Sequence, residues 1–206
     1  MLKIWGRTNS INVQKVMWAV GELAIPHERM DAGMQFGLVD EPAFRAMNPN
    51  GRVPTIDDDG FILWESNAIV RYLMRKYGAG RLSPVTPETY ASADRWMEWS
   101  TTTMAPLMTP LFWGHIRTAS EKRDLNALEK TRLQMEEVMA ILDANLATRH
   151  FVAGDELTLG DIAVGCFAYR WYALPMAHAA HPHIAAWYAR LSERSAFQTY
   201  VMLPLS

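Results

Sequence analysis

The spacing of hydrophobic positions changes along the first thirty residues. Leu2 to Gly6 is a short apolar run that predicts a strand, and apolar residues then recur at helical spacing at positions 13, 16, 17, 20 and 24. His27 to Met30 is a candidate second strand, which a right-handed crossover would make parallel to the first. The chain therefore opens with a predicted βαβ unit.

A hairpin and a further helix follow this unit. Pro42 to Met47 predicts a short helix that ends at turn residues 48–51. Thr55 to Asp57 and Phe61 to Trp64 flank the turn sequence 58–60, which predicts an antiparallel hairpin. Ser66 to Tyr77 has an apolar face at helical spacing. We expect residues 1–77 to form a mixed α/β domain.

The second half of the chain has helical periods. Residues 78–87 contain two Gly and two Pro and predict a linker, and residues 88–206 predict an all-α domain. Thr158 to Asp161 predicts a capping box at the start of a helix, with Leu157 and Ile162 as a hydrophobic staple. One long amphipathic helix is marked by Leu125, Leu128, Met135, Val138, Met139, Leu142 and Leu146.

Composition narrows the class of protein. With 206 residues, 50% hydrophobic and 20% charged, the chain can bury a full core. A formal net charge of -2 without a long run of one sign argues against a nucleic-acid partner. The sequence shows neither a secretory signal nor an apolar run of about 18 residues, so we expect no membrane partner and a cytoplasmic location.

The cysteine and histidine pattern argues against redox and metal chemistry. The single cysteine, Cys166, excludes an internal disulfide and a CxxC pair. It falls on the apolar face of the helix predicted after Thr158, where a cysteine is usually a small buried hydrophobe. The six histidines show no metal-ligand spacing, so we expect no metal.

Three segments of the first domain could grip a small anionic peptide that carries a thiol. Ser10 and Asn12 stand where the first helix opens, and a hydroxyl beside free N–H groups can stabilise a thiolate. Val53 precedes Pro54 at a strand start, and a cis bond there would turn the Val53 backbone toward an extended peptide. An ordinary helix cap and an ordinary turn proline are the structural alternatives.

The third segment lies at the junction of a strand and a helix. Glu65 could face an ammonium group, while the hydroxyl and N–H of Ser66 could bind a carboxylate. Together these two residues suit the zwitterionic end of a peptide. The alternative is again an N-cap with an acidic residue beside it.

As a set, these segments resemble the glutathione-binding half of cytosolic glutathione transferases. The resemblance implies a thioredoxin-like N-terminal domain, an all-helical C-terminal domain and a homodimer with its active site near the subunit interface. It also implies glutathione as co-substrate and a role in detoxification. It rests on Ser10, Val13-Gln14-Lys15-Val16, Asn48 to Pro54, Leu63 to Ile69, Tyr72-Leu73 and the Thr158 to Asp161 box.

Residue roles follow from the same resemblance. Ser10 aligns with the catalytic serine of theta- and delta-like classes, which donates to the glutathione thiolate. The backbone of Val53 beside a cis Pro54 would pair with the cysteinyl residue of glutathione. Arg52 could bind the glycyl carboxylate, although a solvated surface arginine is equally consistent with the sequence. Glu65 and Ser66 would hold the γ-glutamyl end.

The segment around Ser10 departs from the family pattern. It lacks the Ser-Pro-x-Cys-Arg form common in those classes, so Asn12 or Thr8 could share or take the role of Ser10. The position also lacks a cysteine. This absence argues against the thiol-transfer chemistry of glutaredoxin-like and omega-like proteins.

A small hydrophobic electrophile would need a second, apolar pocket. Met104, Met108, Phe112 and Trp113 recur at helical spacing after the linker, where methionine and tryptophan can make an adaptable wall. Core packing is the alternative for each of them. Pro106 and Pro110 are expected to bend or break this helix, and Tyr169, Arg170 and Trp171 are further candidates without a ranking.

The sequence favours an enzyme over other classes of function. The leading hypothesis is a glutathione transferase that conjugates the thiolate to small apolar electrophiles. The alternatives are a non-catalytic binding or regulatory protein of the same fold, and a glutathione-dependent isomerase or dehalogenase. Residues 9–12 do not match the Ser-Ser-Cys pattern that is typical of zeta-class isomerases.

Overall fold

The computed structural model of the chain describes residues 1–78, 82 and 86–206. Most of the predicted linker at 78–87 lies outside these residues. The N-terminal part combines strands and helices, whereas the part after residue 86 is helical. The elements are β1 (Leu2–Trp5), α1 (Ile11–Glu22), β2 (His27–Met30), α2 (Pro42–Met47), β3 (Thr55–Asp58), β4 (Phe61–Trp64), α3 (Ser66–Tyr77), α4 (Pro87–Trp99), α5 (Ala105–Phe112), α6 (Leu125–Leu146), α7 (Leu159–Ala173), α8 (Pro182–Ser192) and α9 (Ser195–Tyr200).

The four strands form one mixed sheet in the order β2-β1-β3-β4. β1 and β2 are parallel, as the predicted crossover requires, and β3 is antiparallel to both β1 and β4. The hairpin turn is one residue shorter than the predicted turn. Asp58 belongs to β3, and only Asp59 and Gly60 turn the chain, with φ of 52° and 94°. Two central residues with positive φ match the twist of the flanking strands.

Buried Asp58 fastens α3 to the sheet. Its carboxylate accepts hydrogen bonds from Lys76 at 2.6 Å, Tyr72 at 2.7 Å and Tyr77 at 2.8 Å. Burial opposes ionisation of this group, but these donors hold its pKa below the ordinary value. This anchor fixes the helix whose first turn carries Ser66.

α7 is the central helix of the molecule. Apolar side chains surround it and almost all of its residues are buried, as expected for a helix without a solvent-facing side. Gly165 permits close packing on α1, because a Cβ there would lie 2.8 Å from the Trp18 ring. Cys166 is buried on the same helix, and burial raises the pKa of its thiol to about 12. Such a thiol is unreactive at neutral pH.

The start of α7 has the predicted capping box. Thr158 is the N-cap residue, and Leu157 and Ile162 are both buried beside it. The Asp161 carboxylate accepts from the Thr158 N–H at 2.9 Å and from its hydroxyl at 3.0 Å. It also accepts from the N–H of Val152 at 2.9 Å and from Trp187 at 3.0 Å. The cap therefore joins α7 to the preceding loop and to α8.

The chain from α4 to α5 follows a continuous helical path. Pro106 lies in the first turn of α5 and Pro110 inside it, so neither proline breaks the helix as the sequence predicted. Wider π turns flank α5 instead, at Ser100–Met104 and Trp113–Arg117. The second of these turns carries side chains into the candidate site.

Candidate active site

A cleft of about 470 Å³ opens where the β1–α1 loop faces the start of β3 and the end of α5. Both halves of the chain contribute to its walls, so the relative position of sheet and helices determines its shape. Its lining residues are Arg7, Asn9, Ser10, Ile11, Asn12, Gly33, Met34, Val39, Gly51, Arg52, Val53, Thr109, Phe112, Trp113, Arg117 and Arg170.

Ser10 lines the cleft at the N-terminus of α1. It is the N-cap residue by backbone position, but its side chain makes no cap hydrogen bond. The residue is 8% exposed, so its hydroxyl faces the cleft from a largely buried position. Thr8, the alternative donor, is exposed and does not line the cleft. A hydroxyl beside a helix N-terminus is suited to an anionic ligand atom.

Asn12 connects two of the predicted segments. It lines the cleft from the first turn of α1, and its Oδ1 accepts a hydrogen bond of 3.3 Å from the Ser66 hydroxyl. Ser66 is buried in the first turn of α3, although it does not line the cleft. The openings of α1 and α3 therefore lie side by side.

The segment before β3 is held by the buried side chain of Asn48. Its Nδ2 donates to the Arg52 carbonyl at 2.8 Å and to the Thr55 hydroxyl at 3.0 Å. Arg52 and Val53 line the cleft, while Pro54 is buried behind them, and the Val53–Pro54 bond is cis. This is the geometry that the sequence predicted for an exposed Val53 backbone.

Glu65 has an unusual backbone. Its φ is 72° and its ψ is 111° at the N-cap position of α3, a conformation that non-glycine residues rarely adopt. The side chain is exposed and does not line the cleft. Backbone strain of this kind concentrates at functional sites, where a side chain must point in one direction.

The four predicted electrophile-pocket residues divide into two groups. Phe112 and Trp113 line the cleft, and Trp113 is 49% exposed. Phe112 is itself only 2% exposed and packs in the hydrophobic core, as do Met104 and Met108 at 0% and 1%, but the two methionines do not line the cleft. Helical spacing places all four on neighbouring turns, but it does not distinguish the side that packs on α6 and α7. For the two methionines, core packing is the correct interpretation and the pocket wall is not.

Three arginines besides Arg52 line the same cleft. Sequence reasoning missed Arg7 and Arg117 and left Arg170 unranked. Arg7 could have been found from its position three residues before Ser10, and Arg117 from its helical spacing after Trp113. The position of Arg170 depends on how α7 packs. Burial lowers the pKa of Arg170 to about 10, and repulsion from Arg117 and Arg7 adds to this effect.

The described residues also limit other classes of site. They include no group of three or more His, Cys, Asp or Glu side chains arranged to hold a metal ion. Within the same part of the chain, no helix has both the length and the hydrophobicity needed to cross a bilayer.

Comparison with known proteins identifies the family. Residues 1–75 match the model of the glutathione S-transferase N-terminal domain, and residues 101–195 match that of the C-terminal domain. The glutathione S-transferase GstB of Escherichia coli K12 is 41% identical over 100% of both chains. Glutathione S-transferase 3 of Zea mays is 31% identical over 99% of this chain and 95% of its own.

A solved structure supports the same assignment. The theta class glutathione S-transferase of Xanthomonas axonopodis pv. citri, with glutathione bound, superposes with a TM-score of 0.96. It is 43% identical, and the match covers 100% of this chain and 99% of that one. The chain belongs to the glutathione S-transferase family. The predictions of family, fold and enzyme class are thereby confirmed.

Proposed function

We propose that this protein joins the sulfur of glutathione to a small electrophile within the cleft. The observation that carries the proposal is the position of Ser10. Its hydroxyl is placed at the N-terminus of α1 and faces the cleft without capping the helix. It is therefore free to donate to a ligand.

The proposed chemistry requires only that the thiolate be stabilised. A free cysteine thiol has a pKa of roughly 8.5, so little thiolate is present at neutral pH. A hydrogen bond from Ser10 and the positive end of α1 would lower that pKa, and the sulfur then attacks without a general base. Asn12 supports this arrangement from the same first turn of α1, through its contact with Ser66.

The remaining predicted residues suit the rest of the tripeptide. In the proposal, the Val53 backbone pairs with the cysteinyl residue, and Arg52 binds the glycyl carboxylate. Glu65 faces the γ-glutamyl ammonium, while Ser66 and the N-terminus of α3 bind its carboxylate. On the adjacent wall, the exposed ring of Trp113 beside the buried Phe112 offers aromatic surface to the electrophile.

The assembly and the setting of the enzyme belong to the same proposal. The family relationship supports a homodimer, a cytoplasmic location and a role in detoxification. The exposed aromatic residues Phe61 and Trp64 on edge strand β4 are consistent with a protein partner at that edge. No nucleic acid, membrane or metal is required by this function.

Two measurements on the purified protein test the proposal. Calorimetric titration with glutathione should show binding, and absorbance assays with 1-chloro-2,4-dinitrobenzene should show conjugation above the uncatalysed rate. Binding without turnover across a panel of aryl halides and activated alkenes would favour the non-catalytic alternative. An absence of glutathione binding would contradict the proposal altogether.

A further inference from the structure

The electrophile side of the cleft carries a cluster of positive charge. Arg7 comes from the β1–α1 loop, Arg117 from the turn after α5, and Arg170 from α7. The guanidinium carbons of Arg170 and Arg117 lie 3.9 Å and 4.9 Å from the centroid of the Phe112 ring. Two cations from separate elements thus lie beside one aromatic ring, and Arg7 lines the same cleft from a third element.

This arginine cluster, Arg7, Arg117 and Arg170, has no aspartate or glutamate partner in the described part of the chain. None of the ion pairs formed by those residues involves a member of the cluster. The cleft is lined by no aspartate or glutamate. Buried charges are normally paired, because leaving water is costly.

Hydrogen bonding leaves the cluster incompletely satisfied as well. Arg170 is only 8% exposed, its Nε has no partner among the described residues, and its Nη2 reaches the Asn9 carbonyl only at 3.4 Å. The buried Nε of Arg7 also lacks a partner there. Arg117 donates from Nη2 to the main-chain oxygen of Ser206 at 3.2 Å, which uses one of its five donors.

Glutathione does not account for these charges. Its ionic groups are two carboxylates, one ammonium and the thiolate. In the proposed function, Arg52, Ser66, Glu65 and Ser10 receive all four. Arg117 and Arg170 are left over beside Phe112 and Trp113, where the second substrate would lie, and Arg7 lines the cleft from the β1–α1 loop.

We infer that the second substrate is a flat electrophile carrying a carboxylate or a similar anionic group, which the arginine cluster binds while the exposed ring of Trp113 contacts its apolar part. This inference rests on the proposed function and changes the predicted substrate from a purely apolar molecule to an amphipathic anion. The guanidinium fork suits a planar carboxylate, because it can donate two parallel hydrogen bonds.

The reaction is a substitution in which the anionic group takes no chemical part. With 4-chloro-3-nitrobenzoate, a sulfur lone pair forms the C–S bond at C4. The C–Cl electron pair leaves with chloride, and the proton of the glutathione thiol goes to solvent. The carboxylate remains unchanged and serves only to hold and orient the ring.

The test compares 4-chloro-3-nitrobenzoate with 4-chloro-3-nitrobenzamide, which has a similar shape without the charge. For each probe, kcat/KM with glutathione is divided by the uncatalysed rate constant, because the two rings differ in intrinsic reactivity. We expect this ratio to favour the carboxylate by about tenfold or more at low salt and to fall as salt is raised. Equal ratios, or a preference for the amide, would overturn the inference.

Substitutions test whether the arginine cluster causes the preference for the carboxylate probe. Arg117→Gln and Arg7→Gln should each reduce the carboxylate preference by about tenfold while leaving the KM for glutathione within a few-fold. Arg149→Gln, which removes a charge from the exposed segment after α6, should leave the preference intact. If Arg117→Gln lowers the melting temperature and the preference persists, Arg117 holds the Ser206 segment instead, and the inference is wrong.

A binding measurement separates this inference from the proposed function. Both probes are titrated calorimetrically in the presence of S-methylglutathione, which cannot react. Selective binding of the carboxylate probe that is lost in Arg117→Gln would support the anion site, even if neither probe is turned over. The lack of turnover would then count only against the transferase proposal. Conjugation of both probes without selective binding would retain the transferase and overturn the anion site.

Discussion

Glu65 has a strained backbone and an exposed carboxylate at the edge of the site. Its φ of 72° places it where side chains crowd the main chain, at a cost of order 1 to 3 kcal/mol. A position retained for stability alone would be occupied more favourably by glycine. We interpret the strain as the consequence of directing the carboxylate toward the γ-glutamyl ammonium.

Replacing Glu65 by glycine should separate stability from binding. We expect Glu65→Gly to keep or raise the free energy of unfolding, by up to about 1 kcal/mol, because the relief of strain exceeds the entropic cost of glycine. The KM for glutathione should rise by about tenfold, since a charge-assisted partner is lost. Urea unfolding and steady-state kinetics measure the two effects.

Asp59→Gly provides the matched control for this substitution. Asp59 also has a positive φ, 52°, but it lies in the β3–β4 turn and does not line the cleft. Its replacement should change stability similarly and leave the KM unchanged. A normal KM in Glu65→Gly would mean that the γ-glutamyl end binds elsewhere.

Single residues also show where sequence reasoning stops. Ser10, Arg52 and Val53 could be predicted because each belongs to a local motif beside a strand end or a helix start. Arg170 could not, because its contact with Phe112 depends on the packing of α5 and α7. Periodicity gave Met108 and Phe112 equal weight, and both are buried, so only the tertiary structure shows that Phe112 lines the cleft and Met108 does not.

The stability of the helical half depends most clearly on the N-terminal cap of α7. Asp161 is fully buried and accepts four hydrogen bonds that link α7, α8 and the loop at Val152. Burial raises its pKa to about 6, and these donors offset part of the cost of ionisation. A local sequence signature thus controls a contact between distant segments.

Asp161→Asn should destabilise the protein markedly at pH 8. An amide group must turn its NH₂ toward at least one donor, either at Thr158 or at Val152 and Trp187, so a buried N–H loses its acceptor. We expect the free energy of unfolding to fall by about 2 to 3 kcal/mol. Asp155→Asn, at an exposed position in the same loop, should change it by less than about 0.5 kcal/mol. Equal urea midpoints for the two variants would contradict the role assigned to the cap.

The boundaries of helices and strands could be predicted where the sequence has clear cap and turn residues. Ser66 to Tyr77 and the helix after Thr158 follow from their caps and apolar faces. The hairpin was predicted with Asp58 in the turn, but this residue belongs to β3 because its carboxylate is recruited by Lys76, Tyr72 and Tyr77 of α3. A contact between elements moved that boundary by one residue.

At the scale of the whole molecule, Lys15 lies between the two halves of the chain. It is 2% exposed on α1, and its Nζ lies 3.4 Å from Oδ1 of Asn67 and 5.0 Å from the centroid of the Phe167 ring. Burial lowers its pKa from 10.5 to about 8. Cys166 and Glu65 favour the charged form, and Arg170 opposes it. The junction between the two halves therefore contains a lysine whose charged form is destabilised by burial.

Stability should reflect this junction through its pH dependence. Between pH 8 and 10.5 the unfolded chain binds a proton at Lys15 that the folded chain has released, so the free energy of unfolding should rise with pH. The shift corresponds to about 3 kcal/mol over that range. This gain in the free energy of unfolding from Lys15 is fully present above pH 10.5 and is lost as the pH falls through 8.

Lys15→Met isolates the effect. The difference in unfolding free energy between wild type and Lys15→Met should increase as pH rises from 8 toward 10.5, as measured by urea unfolding. Lys130→Met on the exposed side of α6 should run parallel to wild type. Parallel curves for Lys15→Met would show that Lys15 keeps an ordinary pKa in the folded protein.

The whole cleft requires both halves of the chain. It is lined from the N-terminal half by Arg7, by residues 9–12 and by parts of the segments 33–39 and 51–53, and from the helical half by Thr109, Phe112, Trp113, Arg117 and Arg170. Family resemblance could predict this division from the sequence, because the glutathione side is encoded in short motifs. The opposite wall could not be predicted in detail, since it arises from packing around α7.

The central claim is that the Ser10 hydroxyl stabilises the thiolate of bound glutathione. The most direct measurement is the ultraviolet thiolate absorbance of the glutathione complex as a function of pH, in wild type, Ser10→Ala and Asn12→Ala. The account predicts that Ser10→Ala raises the pKa of the bound thiol by about one to two units, with glutathione affinity within a few-fold of wild type. An unchanged thiol pKa in Ser10→Ala, accompanied by a shift in Asn12→Ala, would contradict the account and transfer the role to Asn12.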